Sequence, residues 1–93
     1  MNEEKIMQLD VTVFGQVQGV GFRFMVIRLA KKYSFVGFVK NQNDQTVHIC
    51  AVGCKKNLDH FLQEIQKIGF SIDHMKVTFN EKKETFENFS IRH

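Results

Sequence analysis

Twice in this chain an apolar pattern of period two gives way to one of period three to four, and few folds accommodate that double switch. Met7, Leu9, Val11 and Val13 alternate with Gln8, Asp10 and Thr12, which predicts a strand with one wet face. Phe22, Met25, Val26, Leu29 and Tyr33 then recur at helical steps, so a helix is expected from about Phe22 to Tyr33, with Lys31 and Lys32 at its negative end. Phe35 to Asn41 and Thr46 to Val52 read as two strands. The connector Gln42-Asn43-Asp44-Gln45 is short enough to make them an antiparallel hairpin. Leu58, Phe61, Leu62 and Ile65 restore the helical spacing over Lys55 to Ile68, with Gly69 and Phe70 placed as a C-terminal cap. Met75, Val77 and Phe79 alternate as a fourth strand, the charged stretch Asn80 to Glu84 turns, and Phe86 to Ile91 adds a short edge strand.

A half-wet sheet must bury its dry face, and two helices of similar length are available to cover it. The order βαββαβ with that extra strand therefore predicts an α+β fold, a ferredoxin-like α/β sandwich. Its sheet is expected to be antiparallel, with both helices on the face of Leu9, Val11, Val47 and Ile49. With 93 residues, 43% hydrophobic and ten of them Phe, residues 1–93 are expected to form a single globular domain. The chain has no proline and no linker-like or repeated segment. This architecture hosts many unrelated activities, so the site must decide function.

A net charge of +3 favours anionic partners but lacks the concentrated basicity of a dedicated DNA binder. Cys50 and Cys54 are too few for a disulfide scaffold and fit reduced thiols. No apolar run approaches the roughly 20 residues of a membrane span, and residues 1–5 lead straight into a strand pattern, so a cytoplasmic protein is expected. His48, His60, His74 and His93 are scattered, and no carboxylate pair recurs at a catalytic interval, so neither a metal nor another cofactor is expected.

Chemistry concentrates instead between the first strand and the first helix. In Gly15-Gln16-Val17-Gln18-Gly19-Val20-Gly21-Phe22-Arg23, three of the chain's six glycines fall together and an arginine follows. Such a turn serves a tight connection equally well. It lacks the Lys-Ser/Thr ending of a Walker loop and the third glycine of a dinucleotide fingerprint. Yet a cation near a helix N-terminus opposes the helix dipole, and a bound anion removes the conflict. Arg23 could also be an ordinary surface arginine with a solvated head. Asn41, at the end of its strand, is read from its own residues as a turn initiator, or as an amide that orients a water if it lies near the loop.

Residues 15–23 and Gly37-Phe38-Val39-Lys40-Asn41 resemble the two sequence blocks of the acylphosphatase family, and Phe86 to Arg92 is similar to that family's ending. The resemblance runs over essentially the whole chain in the right order. It implies the same ferredoxin-like sandwich and a metal-free hydrolase that splits acyl phosphates into a carboxylate and inorganic phosphate. It also implies that Arg23 binds the phosphate, that Asn41 positions the attacking water, and that Gly15, Gln16, Val17, Gln18, Gly19, Val20 and Gly21 form the phosphate loop. One departure stands out. The family usually has glycine after the hairpin's polar residues, and this chain has Gln45, which predicts a different turn.

A carboxylate leaving group, whose conjugate acid has a pKa of about 4, needs no general acid, which matches the lack of a candidate. The expected partners are therefore a small acyl phosphate and inorganic phosphate, bound by a monomer. An RNA-recognition module shares the element order, and Val36 to Lys40 faintly resembles one of its motifs. Its stacking aromatics are missing from Thr46 to Val52, however, so no nucleic-acid partner is expected. An idle phosphate sensor remains the other alternative.

Overall fold

In the computed structural model, which describes residues 5–67, 71–82 and 84–92, the alternating first segment becomes strand β1, Ile6–Gln16. It extends beyond the apolar pattern because it is paired on both sides, with β3 (Val47–Cys54) along Ile6 to Val13 and with β4 (Ser71–Glu81) along Met7 to Gln16. The same pairing draws Asn80 and Glu81 into β4, opposite Gln8 and Met7, where the sequence pattern predicts a turn. Helix α1 covers Val20–Lys32, beginning two residues before the expected Phe22, and α2 covers Lys55–Gln66. The cap assigned to Gly69 and Phe70 lies outside the described residues.

Strand β2 is Val36–Asn41 and β5 is Phe89–Arg92, giving a five-stranded sheet in the order β4-β1-β3-β2-β5. The expectation of an antiparallel sheet is corrected at one edge, where β5 pairs with β2 in parallel. The reason is topological. β4 runs against β1, and the chain must reverse after it, so β5 takes the direction that β1 and β2 already share.

Both helices cover one face of this sheet. Leu9, Val11, Val13, Val39, Val47, Ile49 and Ala51 are fully buried there against Phe22, Val26 and Ala30 of α1 and Leu58, Phe61 and Ile65 of α2. Tyr33 and Lys32 tie the helices together through Glu64, the lysine at 2.9 Å. On the opposite face, His48 meets Asp10 at 2.9 Å, and the Arg92 guanidinium lies 4.1 Å from the centre of the Phe38 ring.

One row of the sheet brings the ends of two strands together. Val13 and Asn41 both pair with Val47, from opposite sides, so the C-terminal ends of β1 and β2 flank the start of β3, with about 10 Å between the two outer strands. Val39 and Val47 are buried under the helices, so by strand alternation Asn41 projects to that face as well.

Candidate active site

At Phe14 and Gly15 the register of β1 against β4 shifts by a bulge, which bends the last residues of the strand before the chain leaves the sheet after Gln16. Gly15 has φ 136°, and a Cβ there would stand 2.2 Å from the Ser71 carbonyl oxygen, so no side chain fits. Val17, only 1% exposed, pins the departing segment into the core. Gly19 is the N-cap of α1 at φ 134° and ψ 164°, a conformation open essentially to glycine.

Residues 15–21 span three elements. Gly15 and Gln16 still pair in β1, while Val20 and Gly21 open α1, because bulge and cap together complete the turn in three residues, Val17, Gln18 and Gly19. Among the described residues no side chain caps α1, and its first turn holds no acidic residue. The amides of Val17, Gln18, Gly19 and Gly21 find no acceptor among the described residues. Arg23 sits on this same helix start.

Its guanidinium Nε is buried and has no hydrogen-bond partner among the described residues. The only other side-chain atom of this kind among them is Asn41 Oδ1. Leaving a buried polar atom unpaired costs about 1–3 kcal/mol, so two such atoms at one end of a small sheet mark a place built for something other than stability. One is an orphan donor on a cation and the other an orphan acceptor.

A side chain that the sequence pattern singles out only for its main-chain amide holds the two parts together. Gln18 Nε2 donates to the carbonyl oxygens of Gln42 at 2.8 Å and Thr46 at 3.0 Å, bracing the glycine turn against the hairpin that carries Asn41. These contacts span 24 and 28 residues of chain, so no local periodicity or spacing could announce them. Gly15, Gln16, Val17, Gln18 and Gln45 line one concavity beside the hairpin turn, and Lys40, Asn41, Gln42 and Asn43 line a second.

The hairpin itself corrects an expectation. Gln42 donates to the Thr46 carbonyl at 2.9 Å and accepts from the Gln45 amide at 3.2 Å, with Gln45 at φ 76°. The turn is thus the one that suits glycine, imposed on glutamine. Asp44 helps to hold it, accepting from the Thr46 hydroxyl at 2.5 Å and amide at 3.1 Å, bonds that keep its carboxyl below the usual carboxylate range. Since a left-handed conformation costs a non-glycine residue about 1–2 kcal/mol, Gln45→Gly is expected to raise unfolding stability by about 1 kcal/mol after the added chain entropy is subtracted. Urea denaturation checks this, and a loss of stability would contradict it.

Other reactive groups stand apart. Cys50 pairs with Asp10 across the sheet and faces away from the helices. Burial, followed by the charge of Asp10, pushes its thiol up to about 12, so it offers no thiolate at neutral pH.

A mixed five-stranded sheet with both helices on one face places the chain among small α+β domains of the ferredoxin-like sandwich class. Within that class, the profile of the acylphosphatase family matches residues 9–91. The acylphosphatase of Bacillus licheniformis is 40% identical over 88 residues, covering 92% of this chain and 98% of that relative. The acylphosphatase of Clostridium acetobutylicum is 54% identical over 57 residues, 61% of this chain and 63% of that one. The crystal structure of acylphosphatase from Bacillus subtilis superimposes with a TM-score of 0.87 at 34% identity, covering 94% of this chain and 99% of that chain. This chain belongs to the acylphosphatase family, whose reaction is the hydrolysis of acyl phosphates.

Proposed function

We propose that this protein hydrolyses acyl phosphates at the junction of β1, α1 and the β2–β3 hairpin, with Arg23 and the amides of residues 15–21 holding the phosphoryl group and Asn41 holding the water. The observation that carries the assignment is the pair of buried atoms without a hydrogen-bond partner among the described residues, Arg23 Nε and Asn41 Oδ1. A phosphate oxygen satisfies the first, and a water O–H satisfies the second.

In this reading the water oxygen attacks phosphorus in line with the carboxylate, the bond from phosphorus to the acyl oxygen breaks, and both water protons end on inorganic phosphate. The carboxylate leaves as an anion and needs no proton donor. Charge spreading over the equatorial oxygens meets the guanidinium and the preorganised amides, which supply most of what phosphoryl transfer requires of a protein. The substrate's own phosphate takes up the proton, so no protein base is involved and no metal is required.

Residence in the cytoplasm, as a monomer, completes the reading. The unpaired thiols of Cys50 and Cys54 fit a reducing compartment. Nucleic acid is not a proposed partner, because the centre of the open sheet face holds the Asp10–His48 pair where an RNA-recognition surface would present stacking aromatics. The test is release of phosphate from acetyl phosphate or benzoyl phosphate in excess chelator. Turnover that persists there is the expected result. Turnover that stops and returns with a divalent cation contradicts metal independence, and phosphate binding without turnover points to a sensor.

A further inference from the structure

One stripe of α1, formed by Phe24, Ile27, Arg28 and Lys31, faces Phe89 and Ile91 of β5 across an open groove. Phe24 leaves 57% of its surface exposed, an unusual condition for a phenylalanine, while Phe89 at 6% forms part of the floor. One end of the groove adjoins the proposed phosphoryl site, since Phe24 is the residue after Arg23. The other end lies at Lys31, seven residues along the helix and so about 10 Å away. Arg28 and Lys31 form no ion pair among the described residues.

We infer that this groove binds the acyl group of the substrate, and that it suits an extended apolar acyl chain ending in a second carboxylate. The inference rests on the proposed phosphoryl site. With the phosphate at Arg23, a chain laid along α1 buries its methylenes on Phe24, Ile27 and Ile91. Its far end then comes beside Arg28 and Lys31. The middle of the groove is apolar and its far end cationic, so a ω-carboxyacyl phosphate complements both parts.

The test compares kcat/KM for acetyl phosphate, octanoyl phosphate and the monophosphate anhydride of octanedioic acid. The wild type is expected to favour octanoyl over acetyl phosphate by at least about tenfold, given that each well-buried methylene contributes several-fold. Phe24→Ser is expected to reduce that ratio about tenfold, and because Phe24 is largely exposed the change leaves folding intact. The double variant Arg28→Glu, Lys31→Glu is expected to reduce the preference for the dicarboxylic substrate over octanoyl phosphate by several-fold to tenfold, an effect that weakens with salt. Ratios unchanged in both variants would overturn the groove assignment while leaving the phosphoryl site standing. If the wild type hydrolyses none of the three substrates, the proposed function fails instead, and titration with octanedioate monitored by backbone amide shifts decides the groove. Shifts confined to residues 24–31 and 89–91 support it, and shifts elsewhere or none overturn it.

Discussion

Arg23→Ala is expected to lower kcat/KM by at least about 10³-fold, close to 4 kcal/mol of transition-state stabilisation, and to remove most of the affinity for inorganic phosphate. The magnitude reflects the kind of interaction lost. Removing one neutral preorganised donor costs about 10²- to 10³-fold, and Arg23 brings a full charge with a donor already desolvated. Arg23→Lys is expected to recover only part of the loss, because a lysine lacks the planar fork that meets two phosphate oxygens at once. Stability offers a control. Nε has no partner among the described residues, so its removal relieves a buried unsatisfied donor, and the variant is expected to unfold no more easily than the wild type. Saturating phosphate should raise the wild-type melting temperature by binding only the folded state, and leave that of Arg23→Ala nearly unmoved. An Arg23→Ala protein that unfolds readily yet retains turnover would make Arg23 a structural residue.

Asn41→Ala has a different signature. Its kcat is expected to fall about 10²-fold or more, while KM and inhibition by phosphate stay within about threefold, because an amide that holds the water acts after the phosphoryl group is bound. Asn41 Oδ1 is buried without a partner among the described residues, so this variant too should keep its stability. A rise in KM at unchanged kcat would instead place Asn41 on the phosphate. Wild-type rates would remove it from the chemistry altogether.

Much of the fold was legible because the buried face repeats along each element. Leu9, Val11 and Val13 alternate, Leu58, Phe61 and Ile65 recur at helical steps, and all six are fully buried. The features that escape such periodicity are set by partners distant in the chain. The ends of β4 carry Ser71, Asn80 and Glu81, whose polarity argues against a strand, and only pairing with Gln16, Gln8 and Met7 keeps them extended. The parallel pairing of β5 with β2 comes from chain reversal after β4 and leaves no mark on Phe89 to Arg92.

The candidate site divides along the same line. The glycines and Arg23 form one contiguous run that composition alone makes conspicuous, and Asn41 ends a strand whose boundary the hairpin turn betrays. The brace from Gln18 to the carbonyls of Gln42 and Thr46 joins segments whose own residues give no hint of each other. Gln45 was legible in identity but not in consequence. Glutamine disfavours φ 76°, yet the two bonds between Gln42 and the residues Gln45 and Thr46, together with the Asp44 side chain, hold the turn in that form.

The central claim is that Arg23 and the main-chain amides after β1 form one receptor for a phosphoryl dianion. A crystal structure determined with saturating phosphate or vanadate tests it most directly. The expected result is an anion within hydrogen-bond distance of both the Arg23 guanidinium and amides between residues 17 and 21, beside Asn41. A site without the anion at saturation, with the Arg23 side chain turned into solvent, would contradict the account.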